Sequence, residues 1–332
     1  MTDFKELAQL LFPNITKAPQ DMEDMYPPRA LKEGARVTRF APSPTGFLHF
    51  GNLFTCMVSY KTAKTTDGVF YVRVEDTDQK RKVDGAIDVM LKGLSVYGIN
   101  ADEGVVGDEK EIGDYGPYYQ SARVEIYQTY AKALVEQGLA YPCFCSADEL
   151  DEIRTVQENE SIKGYWGKWA KCRDLSFEQI KANIDSGMSW TLRLKSPGDL
   201  EKKCYFDDMI KGKIEMPENV QDVVLLKSDG IPTYHFAHAV DDHLMRTTHV
   251  VRGDEWISSV PIHLQLFKVL GFKPPKYAHV SPIMKEENGG KRKLSKRKDP
   301  EAAVRYYAEA GYPAESVNEY LMTILNSNFE DW

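Results

Sequence analysis

Two short segments contain residue types that are suited to binding a polyphosphate. The first, His49 to Asn52 (HFGN), lies where a predicted strand ends and a predicted helix begins. A helix N-terminus offers unpaired N–H groups and a positive dipole end to phosphate, while His49 adds a donor and Gly51 permits close approach. The second, the basic run from Lys291 to Lys298, could close over a polyphosphate and neutralise charge on a leaving pyrophosphate. Taken alone, each segment also has a structural interpretation, either a buried histidine beside a turn or a solvated basic surface.

The elements around the first segment follow a β-α-β pattern. Arg36–Ala41 is predicted as a strand that ends at the turn-rich loop Pro42–Gly46, and helical spacing follows from Leu53 onwards. The apolar run Val69–Val74 is typical of a strand that is buried on both faces. Such units build parallel sheets, and the pattern returns at His249–Arg252. The sequence therefore predicts an α/β domain that is interrupted by an insertion and followed by a helical tail.

Further elements are predicted on both sides of this pattern. Residues 1–35 are expected to hold at most one helix, with an apolar face that includes Leu7 and Leu11. Helices are predicted at Ser121–Gly138, Ile257–Leu270, Ala302–Gly311 and Ser316–Leu325, and strands at Trp190–Leu194 and Val223–Leu226.

Composition and charge exclude several classes of protein. The 332 residues are 42% hydrophobic and 28% charged, which is ordinary for a globular protein and excludes a collagen, a coiled coil or a disordered chain. The 42 Lys and Arg against 50 Asp and Glu give a net charge of −8, so any nucleic-acid contact must come from local basic patches. The five cysteines favour a reducing compartment over a disulfide framework. With no apolar run of membrane-spanning length and no signal-peptide pattern, a cytoplasmic protein without membrane attachment is expected.

The two phosphate-binding segments occur together in class I aminoacyl-tRNA synthetases, and the sequence resembles the glutamyl-tRNA synthetase family. The resemblance begins with Arg39–Gly46 followed by His49–Asn52, and continues with Val72–Asp78. The later segments follow in the family's order and are Asp222–Gly230, Pro232–His235, Val240–His243, Arg252–Trp256 and Lys293–Arg297. Together they cover residues 36 to about 330.

This resemblance implies a division of the chain into parts. A Rossmann-like parallel-sheet catalytic domain is expected at residues 36–119 and 233–285, with an α+β acceptor-binding insertion at 120–232. Residues 1–35 would form an N-terminal extension, and residues 286–332 would carry the basic KLSKR loop and the start of a helical stem-contact segment. Since bacterial members of the family usually run longer, the chain is expected to be a catalytic part without an anticodon-binding domain. Intact ATP and glutamate sites and weakened tRNA binding would follow.

The resemblance also implies a two-step reaction that joins L-glutamate to the 3′ end of tRNA(Glu). The α-carboxylate of glutamate would attack the α-phosphate of ATP, which gives glutamyl-adenylate and pyrophosphate. The 3′-terminal adenosine of the tRNA would then take the glutamyl group. Catalysis would depend on positioning and on stabilisation of phosphate charge, with Mg²⁺ supplied by the solution. Members of this group need tRNA even for the first step and lean towards a monomeric state.

The resemblance assigns roles to individual residues. The expected catalytic residues are His49, Gly51, Asn52, Lys293, Ser295 and Lys296. The expected ATP-binding residues are His49, Gly51, Asn52, Glu255, Trp256, Leu294 and Lys296. The expected glutamate-binding residues are Arg39, Ala41, Ser43, Glu75, Tyr234, His238 and Arg252, and Asp78 is expected to contact the tRNA acceptor end.

Charge explains the composition of the expected glutamate pocket. Arginine pairs with a carboxylate through two parallel hydrogen bonds and stays ionised, which suits Arg39 and Arg252 to a substrate with two carboxylates. Glu75 would face the ammonium group of the substrate. Glutamine would leave one guanidinium group unpaired. His238 stands where many members of the family have asparagine, so its role as a hydrogen-bond donor to the substrate is an expectation that departs from the family pattern.

Three cysteines in the expected insertion have spacing that could hold zinc. Cys143, Cys145 and Cys172 would supply three thiolates to a tetrahedral site, for which Tyr165 and Asp174 are candidate fourth ligands. The alternative is that the three reduced cysteines pack as small apolar groups.

Two other functions are compatible with the resemblance. A shortened paralogue would glutamylate a modified tRNA base, but such enzymes tend to lose the basic loop and the helical tail that this chain retains. A non-catalytic binding module would be expected to lose His49, Lys296 or Arg39, and all three are present.

Overall fold

The strands predicted at Arg36–Ala41, Val69–Val74 and His249–Arg252 are present as short strands of parallel sheets. The computed structural model describes residues 3–44, 46, 48–78, 83–107, 110–160, 163–287, 289–295 and 298–326. Its strands are β1 (Val37–Phe40), β2 (Val69–Val72), β3 (Glu103–Gly107), β4 (Lys110–Ile112), β5 (Ala140–Cys143), β6 (Thr191–Leu194), β7 (Lys203–Asp208), β8 (Gly212–Pro217), β9 (Val224–Leu226), β10 (His249–Gly253), β11 (Lys276–Val280), β12 (Met284–Glu287) and β13 (Gly290–Lys293).

Helices cover the strands and connect them. They are α1 (Phe4–Leu11), α2 (Pro19–Met25), α3 (Phe50–Lys64), α4 (Ala86–Val96), α5 (Val124–Glu136), α6 (Ala147–Asn159), α7 (Phe177–Asp185), α8 (Tyr234–Leu244), α9 (Val260–Val269), α10 (Arg305–Glu309) and α11 (Ala314–Leu325). Turns of 3₁₀ helix lie at Gln120–Arg123, Gly167–Trp169, Asp254–Ser259 and Pro300–Ala302. Within the described part of the chain, no helix combines the length and the apolar character that a membrane crossing requires.

The parallel layer is assembled from two groups of strands. In the first group, β1, β2 and β3 run parallel and β4 closes the edge antiparallel. In the second, β10, β11 and β7 run parallel and β8 pairs antiparallel with β7. The groups meet where the N–H of Thr248 donates to the carbonyl of Val37 over 3.0 Å, at the start of β10 and β1. The predicted α/β fold with a parallel sheet is confirmed.

The hairpin β7–β8 links the range 120–232 to this layer. β7 pairs with β11 at Asp208 and Tyr277, and the N–H of Met209 donates to the carbonyl of Tyr277 over 2.8 Å. The remaining strands of the range, β5, β6 and β9, form a separate antiparallel sheet. The division of the chain at residues 120 and 232 stays a prediction, and the hairpin is the part of that range that adjoins the main sheet.

The prediction of at most one helix in residues 1–35 is wrong, because the structure has two helices there, α1 and α2. A second helix, α2, begins at Pro19, and its first turn is closed by Asp21, whose carboxylate accepts the N–H of Ala18 over 2.7 Å. The helix is too short to show a clear apolar period, so its signal lies in the proline and the capping carboxylate. Side chains of both helices, including Leu7 and Met22, are buried in the core.

Three predicted helices begin or break differently from the sequence prediction. The helix predicted from Ser121 and the one predicted from Ile257 are each preceded by a 3₁₀ turn, and the α-helices proper begin at Val124 and Val260. The helix predicted from Ala302 is a 3₁₀ turn followed by the five-residue α10. Tight turns of this kind are common at helix ends and leave the apolar spacing unchanged.

Candidate active site

A cavity of about 720 Å³ lies at the carboxyl ends of the parallel strands. Residues that follow β1, β2, β10 and β11 form its floor, and the N-terminus of α3 and the hairpin β12–β13 form its sides. Ligand sites of open α/β sheets lie at this edge, where loops from neighbouring strands diverge. The fold thus brings residues from both segments that were predicted to bind phosphate to one cavity, His49, Gly51 and Asn52 from the first and Lys293 and Leu294 from the second.

Most of the residues expected from the sequence line this cavity. They are Arg39, Ala41, Ser43, His49, Gly51, Asn52, Glu75, Asp78, Tyr234, Arg252, Glu255, Trp256, Lys293 and Leu294. Ser295 and His238 are not among the lining residues, and Lys296 lies outside the described residues.

His49 caps the helix that faces the cavity. Its Nδ1 accepts the N–H of Gly51 over 2.9 Å, and its carbonyl accepts the N–H of Asn52 over 2.8 Å. Because Nδ1 is an acceptor, the proton of the neutral ring lies on Nε2, which makes that nitrogen a donor. A Cβ on residue 51 would approach His49 Nδ1 to 3.1 Å, which explains the glycine. The N-terminus of α3 can therefore present donors to a phosphate group.

Arg39 enters the cavity from β1 as part of a buried ion cluster. Its Nε lies 3.2 Å from Oδ2 of Asp242, whose Oδ1 accepts from Nη1 of Arg73 over 2.6 Å. Burial raises the pKa of Asp242, but Arg39 and Arg73 outweigh it and hold that pKa well below its usual value. The carboxylate of Asp242 is therefore ionised, and it neutralises part of the charge on Arg39.

Arg252 enters the cavity from β10 and has a different set of partners. Its Nε donates to Nε2 of His279 over 3.0 Å, and its Nη1 and Nη2 each lie 3.2 Å from Nδ1 of His263. Its guanidinium carbon lies 4.7 Å from the centroid of the Tyr277 ring. Among the residues that the structure describes, no carboxylate forms an ion pair with Arg252. Its side chain is nevertheless buried, with 6% of the residue exposed.

The histidines around Arg252 are neutral. Burial lowers the pKa of His263 well below its usual value, and the neighbouring His238 and Arg252 lower it further. Burial also lowers the pKa of His279, which Asp208 opposes only in part. His263 Nε2 lies 2.9 Å from Nδ1 of His235, so the proton of His263 lies between these two rings. The positive charge of Arg252 is thus held by hydrogen bonds without being cancelled.

Glu75 supplies a carboxylate to the cavity. Its Oε1 accepts from Nη2 of Arg73 over 3.1 Å, and its backbone N–H donates to the carbonyl of Pro42 over 2.9 Å. Burial raises the pKa of Glu75, and Arg73 and Arg39 oppose that rise. Among the residues that the structure describes, Arg73 is the one that forms a direct ion pair with Glu75, so a ligand ammonium group could occupy the remaining acceptor positions of this carboxylate.

The outer wall of the cavity carries an aromatic ring and a lysine. The Trp256 ring lies 4.4 Å from that of Tyr234, centroid to centroid, and Lys293 at the end of β13 has its Nζ 4.0 Å from Oε2 of Glu255. The hairpin β12–β13 is anchored from beneath by Asp299, which accepts two hydrogen bonds from Arg292, at 2.6 and 2.7 Å. Asp299 also accepts the N–H of Ser295 over 2.8 Å, which places that residue beside the hairpin base.

His238 lies behind the cavity wall. Its Nδ1 is 2.9 Å from Oδ2 of Asp242, its Nε2 is 3.1 Å from Oη of Tyr277, and its ring stacks on that of Tyr234. Burial lowers its pKa to about 4, although Asp242 opposes this shift. The structure does not bring His238 to the cavity lining; the residue is fully buried, and its ring stacks on that of Tyr234, which does line the cavity. Its contact with the site runs through Tyr234 and Asp242.

Several residues of the site have no signal in the sequence pattern. Gln120, which lines the cavity, donates from Nε2 to Asp241 over 2.9 Å. Asp242, His263, His279 and Asp208 support the arginines from outside the lining. Asp242 belongs to the segment Val240–His243 noted in the sequence, but the sequence does not assign it a partner, and His263, His279 and Asp208 lie in no such segment. Only the tertiary contacts reveal which groups these residues pair with.

The three cysteines of the expected zinc site lie together. Their sulfur atoms are all within 4.8 Å of one another, and Sγ of Cys145 is 3.7 Å from Sγ of Cys172. Oη of Tyr165 lies 3.5 Å from Sγ of Cys143 and 3.3 Å from Sγ of Cys145. Asp174, the other candidate ligand, is exposed and pairs with Lys195 at 3.2 Å. The structure thus favours Tyr165 over Asp174 as the fourth member of the cluster.

The fold and the cavity together are those of a Rossmann-like α/β domain with a candidate site at the carboxyl ends of its parallel strands. Residues 36–328 match the family model of class I tRNA synthetases (E and Q), catalytic domain. The chain belongs to this family of tRNA synthetases for glutamate and glutamine.

Similar proteins carry a consistent name. A curated glutamate--tRNA ligase of Clostridium perfringens (strain 13) is 54% identical over 330 residues, which are 99% of this chain and 60% of that protein. The glutamate--tRNA ligase of Acetivibrio thermocellus is 54% identical over 332 residues, with 99% and 61% covered. A crystal structure of a glutamate tRNA ligase from Elizabethkingia meningosepticum in complex with its amino acid matches with a TM-score of 0.77 at 36% identity, over 87% of this chain and 60% of that one. The chain therefore spans about 60% of the length of the curated relatives it matches.

Proposed function

We propose that this chain activates L-glutamate with ATP and transfers the glutamyl group to the 3′ end of tRNA(Glu). In this reaction the α-carboxylate of glutamate attacks the α-phosphate of ATP, the bond to pyrophosphate breaks, and the ribose hydroxyl of the terminal adenosine then displaces AMP. The chain needs no nucleophile of its own, because positioning and stabilisation of negative charge suffice.

ATP binds on the side of the cavity formed by α3 and the hairpin β12–β13. His49 and the backbone at Gly51 and Asn52 hold the phosphates at the helix N-terminus, and Lys293 approaches from the opposite wall. Glu255, Trp256 and Leu294 line the space for the nucleoside. Mg²⁺ from the solution would accompany the phosphates, and Lys296 keeps the role that the family resemblance gives it. Asp78 at the rim would contact the acceptor end of the tRNA.

Glutamate binds on the side of the cavity formed by β1 and β10. Arg39 and Arg252 take its carboxylates, Glu75 takes its ammonium group, and Ala41, Ser43 and Tyr234 line the space between them. The observation that carries the proposal is that the buried guanidinium of Arg252, which no described carboxylate pairs with, lines the same cavity as the carboxylate of Glu75. A neutral carboxamide in place of the second carboxylate would leave that charge without a partner, so glutamine should bind poorly.

ATP–pyrophosphate exchange tests this function. Exchange is measured with glutamate or glutamine, each with and without tRNA(Glu), for the wild type, for Lys293→Met and for the control Lys181→Met. Lys181 is exposed on α7 and pairs with Asp185, so its loss removes the same charge far from the cavity. We expect exchange with glutamate and tRNA, at least ~10-fold slower in Lys293→Met and unchanged in Lys181→Met. Exchange that prefers glutamine, or no exchange in any condition while ATP still binds, would contradict the proposal.

The alternative of a shortened paralogue that modifies a tRNA base is not favoured, because the relatives that match 99% of this chain are named glutamate--tRNA ligase. Exchange that proceeds with glutamate in the absence of tRNA would reopen it. A cytoplasmic location and a monomeric state remain proposals of the same kind.

A zinc ion bound by Cys143, Cys145, Cys172 and Tyr165 is proposed as a structural cofactor. Zinc–sulfur bonds of ~2.3 Å in a tetrahedron place sulfur atoms about 3.8 Å apart, close to the 3.7 Å between Cys145 and Cys172. Hydrogen bonding from Cys172 lowers the pKa of Cys143, and the same contact raises the pKa of Cys172, while burial raises the pKa of Cys145. One thiolate is therefore favoured without a metal, and zinc would have to displace the protons of the other two thiols. The site would tie β5 to the segment around residue 172.

Metal analysis of the purified chain tests the zinc site. We expect about one zinc ion per chain in the wild type and in Cys204→Ser, and loss of the metal in Cys172→Ser. Cys204 lies on β7 outside the cluster and controls for the loss of one thiol. A chain that holds no zinc and does not change its melting temperature with a chelator would show that the cysteines pack as apolar groups.

A further inference from the structure

Asp208 reaches the guanidinium group of Arg252 through one intervening ring. Its Oδ2 lies 2.6 Å from Nδ1 of His279, and Nε2 of the same ring lies 3.0 Å from Nε of Arg252. The side chains of Asp208 and His279 are fully buried. Neither residue lines the cavity, so their effect on a ligand must pass through Arg252.

The hydrogen-bond donors along this line can be assigned from chemistry alone. Asp208 also accepts the N–H groups of Ile210 at 3.0 Å and Lys211 at 2.9 Å, so its carboxylate acts as an acceptor throughout. His279 must then carry its proton on Nδ1, which leaves Nε2 as an acceptor. Arginine can only donate, and its Nε–H therefore fits this tautomer and no other.

We propose that Asp208 and His279 are positioning residues for Arg252, and that Asp208 acts by fixing the tautomer of His279. The opposite tautomer would place an N–H group against the N–H of Arg252 and turn the guanidinium group away. A carboxylate in the place of His279 would hold the arginine but cancel its charge. The neutral ring of His279 holds the arginine without cancelling its charge, so the charge of Arg252 faces the cavity. This inference rests on the proposed function, in which Arg252 binds a carboxylate of glutamate.

The position of Asp208 makes the inference specific. It is the last residue of β7, in the hairpin that comes from the range 120–232, whereas Arg252 and His279 belong to the neighbouring strands β10 and β11. Asp208 also closes the turn between β7 and β8 through Ile210 and Lys211. A role limited to that turn would affect the stability of the chain and would not single out the binding of glutamate.

Two substitutions of His279 test its two hydrogen bonds separately, the one from Nδ1 to Asp208 and the one that Nε2 accepts from Arg252. In His279→Gln the side-chain oxygen can occupy the position of Nε2 and still accept from Arg252. In His279→Asn the amide can reach only the position of Nδ1, so the contact with Asp208 survives and the acceptor for Arg252 is lost. Asp208→Asn introduces an amide donor that favours the wrong tautomer of His279.

The kinetic test compares KM for glutamate with KM for ATP in the exchange reaction with tRNA. We expect Asp208→Asn and His279→Asn to raise KM for glutamate ~10-fold or more at an unchanged KM for ATP. His279→Gln should restore KM for glutamate to within about threefold of the wild type. A parallel rise in both KM values, or equal effects of Gln and Asn at position 279, would overturn the proposal. If Asp208→Asn fails to fold, the comparison of KM for glutamate in His279→Asn and His279→Gln decides whether His279 positions Arg252.

A second measurement does not depend on the reaction. Nitrogen NMR of the chain with ¹⁵N-labelled histidine reports which ring nitrogen carries the proton, and the signals of His279 are identified by their loss in His279→Gln. We expect a proton on Nδ1 in the wild type and on Nε2 in Asp208→Asn. A wild-type proton on Nε2 would overturn the proposal. If the wild type shows no glutamate-dependent exchange, the proposed function fails, and this NMR result alone decides whether Asp208 sets the tautomer.

Discussion

The two arginines of the cavity are buried on neighbouring strands, yet their surroundings differ in charge. Arg39 on β1 shares the carboxylate of Asp242 with Arg73 and His238. Arg252 on β10 is held by neutral imidazole rings and stacks near an aromatic ring. The first arrangement neutralises part of the charge on the guanidinium group of Arg39, and the second orients the guanidinium group of Arg252 without an ion pair.

This difference separates stability from binding. A buried charge that has lost its partner strongly destabilises the folded chain, so the residues of the Asp242 cluster depend on one another. The imidazoles in contact with Arg252 carry no charge, and the carboxylate of Asp208 behind them keeps its hydrogen bonds from His279, Ile210 and Lys211 when Arg252 is removed. We therefore expect the β1 side of the cavity to contribute more to the stability of the fold, and Arg252 on the β10 side to contribute more than Arg39 to the affinity for the carboxylates of glutamate.

The largest effect is expected from Asp242→Asn, which breaks the charged side. Loss of this carboxylate leaves the buried guanidinium groups of Arg39 and Arg73 with less compensation, and should lower the free energy of unfolding by about 4 kcal/mol. Urea unfolding measures the change. Asp67→Asn, which removes an exposed carboxylate paired with Lys32, should lower it far less, because solvent screens that pair. Equal losses of stability in Asp242→Asn and Asp67→Asn would contradict the expectation that the fold depends on the buried carboxylate of Asp242.

Replacing each arginine with methionine compares the two sides directly. Arg39→Met should lower the free energy of unfolding by about 3 kcal/mol because Asp242 remains buried. Arg252→Met should change it by under ~1 kcal/mol but raise KM for glutamate about 100-fold. Urea unfolding and exchange kinetics are measured on both variants. The comparison fails if Arg252→Met proves the less stable of the two.

Acidification is expected to weaken the charged side through His238. Its pKa of about 4 in the folded chain lies below the value in the unfolded chain, so the unfolded chain takes up a proton first as the pH falls. Stability from this group is complete above about pH 6.5 and falls by about 2 kcal/mol between pH 7 and pH 5. The pH dependence of unfolding is compared in the wild type and in His238→Gln. Identical slopes in the two proteins would show that His238 does not contribute.

The smallest effect concerns Tyr277, which contacts both sides. Its hydroxyl lies 3.1 Å from Nε2 of His238, and its ring lies under Arg252. Tyr277→Phe removes the hydroxyl and keeps the ring, so the free energy of unfolding should fall by about 1 kcal/mol. KM for glutamate should change far less than in Arg252→Met. A change in KM without a loss of stability would assign the hydroxyl to the ligand side.

Local sequence pattern was sufficient for the main elements of the fold. The apolar run at Val69–Val74 and the helical spacing after His49 predicted β2 and α3, because periodicity along the chain reports which face is buried. The same reasoning missed α2, which is too short to show a period. Motifs that are continuous in sequence also predicted which residues line the cavity, from Arg39 to Lys293.

The sequence by itself predicted most of the residues that line the cavity, since each belongs to a short segment whose residue types are suited to phosphate or carboxylate. Only the tertiary structure decided which groups stand behind them. Arg39 meets Asp242 across some two hundred positions of the chain, and Arg252 meets His263 and His279 from other elements. A pattern along the chain records how far a side chain is buried, whereas its charge balance depends on neighbours that arrive from distant strands. For that reason the contrast between a neutralised and an unneutralised arginine exists only in the folded molecule.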